Sequence, residues 1–304
     1  MSLSRISIIG VPMDLGADRR GVDMGPSALR YSNLNEHLTE LGCDIQDLGD
    51  IDVTIPETQH YGDPHAKYLQ EIADACRQLA KMVLDTYEAG RTPLVLGGDH
   101  SIAVGTVSGM SEAFRRGNRR LGLMWFDAHA DMNTPEISPS GNVHGMPMAS
   151  ILGYGPRALT HIYDFSPKIQ PDRVVMIGIR EVDKDERELV KKSGVRVFTM
   201  KEIDKRGIGS VMDEALSIVT ANTDGFSVTL DADFLDPFDT PGVATPVRGG
   251  ADYREAHLAM EMVADTRMMA SFEITEINPI LDVHNKTANV GMELVLSAFG
   301  KQIL

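Results

Sequence analysis

The chain has 304 residues, 42% of them hydrophobic, and a formal net charge of −15 from 29 Lys and Arg against 44 Asp and Glu. So acidic a balance argues against nucleic acid, whose phosphates require a basic surface, and favours a cationic small-molecule partner. No apolar run is long enough to cross a membrane, so no membrane role is expected.

Size and apolar content suffice for one sizeable α/β domain. No Pro/Gly/Ser-rich linker, repeat or low-complexity tract divides the sequence, and residues 1–304 read as a single domain. The N-terminus lacks a charged segment followed by an apolar one, and Cys43 and Cys76 are the only cysteines, which points to a reducing cytoplasm. Met1 to Leu3 are expected to include a cloning remnant.

In chain order, short β-rich runs fall at 5–9, 44–48, 93–96, 121–126, 173–177, 195–199, 226–230 and 270–274, with helical patterns between them. That alternation predicts a mainly parallel sheet covered by helices on both faces. The clearest helix is expected over 65–87, where Leu69, Ile72, Cys76, Leu79, Ala80 and Val83 recur at i, i+3 and i+4. This stripe is core packing and makes Cys76 an inert buried thiol. A last helix is expected over about 284–298, capped by Asp282 and closed by Gly300.

Three of the apolar runs end in groups that bind metals. The run 93–96 leads into Gly97, Gly98, Asp99 and His100. The run 121–126 leads into Asp127, Ala128, His129, Ala130 and Asp131, and 226–230 into Asp231, Ala232 and Asp233. In an extended segment residues i, i+2 and i+4 share a face, so these side chains are expected to converge. In an open α/β sheet that point lies beyond the carboxyl ends of the strands. Asp99 reads as a capping or loop acid.

The remaining set is His100, Asp127, His129, Asp131, Asp231 and Asp233, with oxygen and nitrogen donors and no thiolate. Its four carboxylates carry a charge near −4, which two divalent cations neutralise. Hard ligands of this kind suit manganese. A water between two such ions is expected to lose its proton near neutral pH, its pKa falling from about 15.7 to about 7, and to attack as hydroxide. No serine or cysteine nucleophile is then needed, and no G-x-S-x-G elbow stands at these strand ends.

Longer segments carry a resemblance. GGDHS at 97–101, DAHAD at 127–131, SGNVHGMP at 140–147, DADFLDP at 231–237 and EINP at 276–279 closely resemble the ureohydrolase family, and within it the arginases. The similarity runs nearly end to end, from GVPMDLGADRRGVDMGPSALRY at 10–31 to NKTANVGMELVLSAFGKQIL at 285–304.

The resemblance implies a three-layer αβα sandwich around a mainly parallel sheet of about eight strands. It further implies two Mn2+ per subunit, hydrolysis of L-arginine to L-ornithine and urea, and a homotrimer or homohexamer. Carried over by motif, one manganese takes His100, Asp127, Asp131 and Asp231, and the other Asp127, His129, Asp231 and Asp233. His144 resembles the family's proton-shuttling histidine, and Glu276 the carboxylate that holds the guanidinium. Thr245 resembles a contact near the substrate end, while Asn133, Ser140 and Asp183 match the positions that recognise the α-amino and α-carboxylate groups.

There are two departures from the family pattern. Ala244 stands where glycine is usual, and Glu181 replaces the usual aspartate two positions before Asp183. The Ala244 methyl is expected to shift Thr245 if the backbone there needs positive φ. The competing expectations are agmatinase or another guanidino-compound ureohydrolase, a single-zinc deacetylase of similar architecture, and a metal-binding protein of this fold without turnover.

Overall fold

The computed structural model describes residues 4–302; Met1 to Leu3, with the expected cloning remnant, and the last two residues lie outside the described residues. All eight expected runs form strands: β1 (Arg5–Val11), β2 (Asp44–Asp50), β3 (Thr92–Gly97), β4 (Leu121–Phe126), β5 (Val174–Ile179), β6 (Arg196–Thr199), β7 (Gly225–Asp231) and β8 (Met269–Thr275). They pair in parallel in the order β2-β1-β3-β8-β7-β4-β5-β6.

Helices cover both faces, which is why β4, β5 and β7 are buried at every residue and β4 and β5 read as continuous apolar runs. One face packs Leu94, Phe126, Val228 and Phe272 against the helices Ile208–Thr220, Tyr253–Thr266 and Lys286–Ala298. The other packs Val95, Leu123, Trp125 and Met176 against Leu69–Glu88 and Ala103–Arg116. The result is the expected three-layer sandwich. Edge strand β2 is exposed along most of its length. Its Asp47 and Asp50 are tied by Arg30 and its Asp44 by Arg91, charges that discourage edge-to-edge pairing.

Two helix boundaries differ from the sequence expectation. The helix expected from residue 65 starts at Leu69, because Tyr68 adopts a left-handed backbone (φ 51°) that a helix cannot contain. The last helix starts at Lys286, after His284 and Asn285 at φ 52° and 59°. Asp282 still acts as a cap from outside the helix, its Oδ2 accepting from the Thr287 amide at 2.8 Å. Gly300, at φ 96°, closes the other end. Among the described residues no helix is long and apolar enough to cross a membrane.

Sheet order places the chemistry. The four central strands β3, β8, β7 and β4 are neighbours although they are far apart in sequence. Their registers pair Leu96 with Ile274, Ile274 with Leu230, and Leu230 with Phe126. The residues that follow therefore emerge side by side at the carboxyl end of the sheet: His100 after β3, Glu276 after β8, Asp231 and Asp233 at the end of β7, and Asp127 after β4. Gly98 is needed there because a Cβ would lie 1.9 Å from the Met13 carbonyl oxygen.

Candidate metal centre

The ligand segments converge by turning, not by strand alternation. β4 ends at Phe126 and Asp131 has φ 49°, while 232–234 is a short 3-10 turn. A regular strand would send its side chains outward along a line, whereas these turns fold them inward over the sheet end. Carboxylates capping nearby amides hold the turns: the His129 amide donates to Asp127 Oδ1 at 2.7 Å, Ala128 to Asp233 Oδ1 at 3.1 Å, and Asp233 to Asp231 Oδ1 at 2.7 Å.

Two groups result, His100 with Asp127 and Asp231, and Asp127 with His129 and Asp233, each with ligand atoms within 4.8 Å of one another. Asp127 is common to both. Asp131 joins the first, its Oδ2 3.1 Å from His100 Nδ1, the same distance as Asp127 Oδ2 and slightly nearer than Asp231 Oδ2 at 3.3 Å. In the second, His129 Nδ1 lies 3.0 Å from Asp233 Oδ2 and 3.5 Å from Asp127 Oδ1. Thr245 reaches the same atom, its hydroxyl donating to Asp233 Oδ2 at 3.2 Å. Ala244 does not have a left-handed backbone, so the condition under which its methyl was expected to shift Thr245 is not met.

The donor set fits a pair of divalent cations. Buried His100 Nδ1 has three carboxylate oxygens around it yet no hydrogen bond. Burial raises the Asp131 carboxyl to about 7, with the nearby Asp127 charge adding to it, and raises Asp231 well above the usual carboxylate range. Burial opposes protonation of both imidazoles, but the carboxylates outweigh it and lift His100 and His129 far above the ordinary histidine value. Without metal, protons balance this charge; a divalent cation replaces them.

Behind His100 runs a chain of groups that the sequence reading missed. Thr229, on β7, is 2.9 Å from His100 Nε2 and donates its hydroxyl to Glu273 Oε1 at 2.8 Å, while Thr106 hydrogen-bonds the other Glu273 oxygen. Since a hydroxyl has one proton to give, Thr229 must accept from an Nε2–H. That leaves Nδ1 as the nitrogen directed at the carboxylates. The visible signal was Glu273, a charged residue inside an apolar strand and directly opposite Thr229. Trp125 also stacks on His100, with ring centroids 4.1 Å apart, and donates to Asp127 Oδ2 at 2.9 Å. Thr229→Val keeps the shape and removes the acceptor, so Mn2+ affinity by calorimetry is expected to fall about ten- to hundredfold. Unchanged affinity would show that Thr229 does not orient the imidazole.

Over the clusters lies a cavity of about 500 Å³ whose lining includes His129, Asp131, Asn133, Ser140, His144, Asp183 and Thr245. Beside it Glu276 is 1% exposed and has φ 64°, a conformation that costs a long side chain on the order of 1–3 kcal/mol and marks a fixed position. Its Oε1 accepts from the His100 amide at 2.9 Å and lies 3.1 Å from His144 Nδ1. Its Oε2 is buried without a partner. Burial works against a charged His144, but the Glu276 carboxylate prevails and raises it to about 9.

At another wall Asn133 Nδ2 donates to Asp183 Oδ2 at 2.9 Å, and Ser140 Oγ accepts from the Asn142 amide at 3.2 Å. Glu186, also missed, pins both loops by accepting from the Met132 amide at 2.8 Å and the Asp183 amide at 2.9 Å. Its spacing of three after Asp183 was the available signal. Glu181 lines the cavity with its Oε2 3.9 Å from His129 Nε2.

A parallel αβα sandwich with paired carboxylate–imidazole clusters at the carboxyl ends of its central strands defines a hydrolase built around candidate metal sites. The Arginase family profile matches residues 4–300. The chain is 53% identical over 299 residues to the arginase of Brevibacillus brevis, covering 98% of this chain and 99% of that one. Among solved structures it is similar to arginase from Bacillus caldovelox, with TM-score 0.95, 50% identity and coverage of 99% of this chain and all of that one. It is also similar to Entamoeba histolytica arginase in complex with L-ornithine, with TM-score 0.91, 31% identity and the same coverage. The chain belongs to the arginase family, and it is an amidinohydrolase, acting on a guanidino group.

Proposed function

We propose that this protein hydrolyses L-arginine to L-ornithine and urea with two Mn2+ per subunit, as a single ureohydrolase domain spanning 1–304. The observation that carries this reading is the buried, partnerless Oε2 of Glu276, whose other oxygen contacts the His100 amide and His144, together with a single cavity lined by His144, Asn133, Asp183 and the cluster residues. The named relatives support it, as does the L-ornithine bound to the Entamoeba protein.

His100, Asp127, Asp131 and Asp231 would hold one cation, and Asp127, His129, Asp231 and Asp233 the other. In the arrangement described, Asp231 groups with the first cluster and its Oδ1 accepts the Asp233 amide. Divalent cations held there would offset the carboxylate charge and would lower the pKa of a bound water towards about 7.

The chain's own groups do the rest. Glu276 Oε2 accepts guanidinium N–H, fixing the planar group over the clusters. The α-ammonium is received by Asp183 with Asn133, and the polar Ser140 segment lies where the carboxylate ends. Thr245 steadies Asp233. Water adds to the guanidinium carbon and the bond from that carbon to the alkyl nitrogen breaks. His144, protonated at neutral pH and tied at Nδ1 to Glu276, has Nε2 free to give a proton to the leaving amine. Asp131 completes the machinery by anchoring the first cluster at the cavity floor.

A cytoplasmic location and assembly as a homotrimer or homohexamer accompany this reading. The decisive measurement is urea release by the Mn2+-loaded protein from a panel of guanidino compounds. L-Arginine is expected to exceed agmatine and guanidinobutyrate by up to about 10⁴ to 10⁵, because polar groups committed to the amino-acid end stay unpaired when it is missing. Agmatine ranking first would reject the substrate assignment in favour of an agmatinase.

A further inference from the structure

Among the described residues lining the cavity, Arg19 is the one lysine or arginine. The cations near it are already engaged. Arg20 places Nε 2.5 Å from Asp14 Oδ2 and also pairs with Glu57, and Lys67 Nζ lies 2.8 Å from Asp18 Oδ1 and 2.9 Å from Asn142 Oδ1. Arg19 makes no hydrogen bond or ion pair with any described residue. An acidic chain that pairs its neighbouring cations and leaves this one free over the cavity retains a donor fork for an anionic group.

The loop that carries Arg19 is fixed to the site. The Gly16 amide donates to Asp99 Oδ2 at 2.8 Å, and the His144 amide donates to the Gly16 carbonyl at 3.1 Å. Asn278 Nδ2 donates to the Arg20 carbonyl at 3.1 Å, and the Gly21 amide to Asp14 Oδ2 at 3.4 Å. A Cβ on Gly16 would come within 2.7 Å of Asp99 Oδ1, so the loop packs this closely only with glycine there. Arg19 thus extends as an exposed side chain at the cavity from a loop held to His144 and Asp99.

The lining is electrically divided. Acids occupy the floor and the wall of Glu181, Asp183 and Glu186, whereas Asn133, Ser138, Ser140 and Asn142 are neutral. An α-amino acid that places its ammonium against Asp183 brings its carboxylate towards neutral groups that cannot balance its charge. His144 in the lining is already paired with Glu276, which leaves Arg19 as the unpaired countercharge. We propose that Arg19 receives the substrate α-carboxylate and is a determinant of the preference for a carboxylate-bearing guanidino compound over its decarboxylated counterpart. This inference rests on the arginine-hydrolysis reading.

The test compares kcat and KM for L-arginine and agmatine in the Mn2+-loaded wild type, Arg19→Ala and Arg19→Lys at two ionic strengths. The arginine-to-agmatine ratio of kcat/KM is expected to fall about tenfold in Arg19→Ala, carried mainly by KM for arginine, and to recover substantially in Arg19→Lys. The wild-type ratio is expected to drop as salt rises and that of Arg19→Ala to change little, because an exposed charge pair is screened. A ratio unchanged by Arg19→Ala, or an equal loss on both substrates, overturns the role of Arg19 while the wild-type ranking still stands. A wild type that prefers agmatine instead overturns the underlying reading, whatever the variants do.

Discussion

Asp127→Asn is expected to lose urea release by at least about a thousandfold and to lose bound metal with it. Asp127 is the residue common to both clusters, and its two oxygens face His100 and His129 separately. Replacing one oxygen by an amide nitrogen removes the charge from both sites at once and a ligand atom from one of them. Acidifying water from a pKa of about 15.7 to about 7 is worth roughly 1.36 kcal/mol per unit, so even partial loss of that effect costs several powers of ten. Metal content by elemental analysis and turnover by urea assay should fall together, and Mn2+ should restore a chelated wild type but not the variant.

Metal loading should also weaken as pH falls through about 7. The cation requires neutral imidazoles and ionised carboxylates, whereas this site holds protons on His100 and His129, at Asp131 to about 7 and at Asp231 above the usual carboxylate range. Protons therefore compete more strongly at lower pH, and binding should tighten and release protons as pH rises. An Asp127→Asn protein with full metal and wild-type turnover, or loading that is flat from pH 6 to 8.5, is incompatible with a metal centre at these residues.

Much of the fold was legible because its punctuation is local. Each strand is a short β-rich run between helical patterns, and buried parallel strands such as Val174–Ile179 leave an apolar signature whatever their neighbours. Strand order is a different kind of information. Nothing in 93–96 says that β8, some 170 residues later, is its neighbour, yet that pairing puts Glu276 against His100. The candidate ligands were visible as carboxylates and imidazoles packed after apolar runs, but the reason given for their convergence was incomplete. Asp131 and Glu276 reach the site through left-handed backbone, which neither residue type announces. Thr229, Glu186 and Arg19 were hidden for another reason: each acts through a partner or a cavity that exists only once distant segments meet.

Glu276→Gln should lower kcat/KM for L-arginine by about a thousandfold while leaving thermal stability and metal content close to wild type. The substitution is isosteric, and the amide oxygen can still accept from the His100 amide, so the turn after β8 is expected to persist. What disappears is the negative charge on a buried acceptor facing a cationic substrate. Removing one partner of a desolvated charge pair costs on the order of 3–5 kcal/mol, or about two to four powers of ten in rate. The same change has a second signature at His144. Burial opposes its protonation, and the Glu276 charge is the largest influence that holds it up at about 9. Without that charge burial prevails, so the imidazolium gives up its proton at lower pH and the basic limb of the kcat/KM profile should move towards neutrality. Turnover within tenfold of wild type, with that limb unmoved, would mean that Glu276 neither holds the guanidinium nor sets the charge of the histidine beside it.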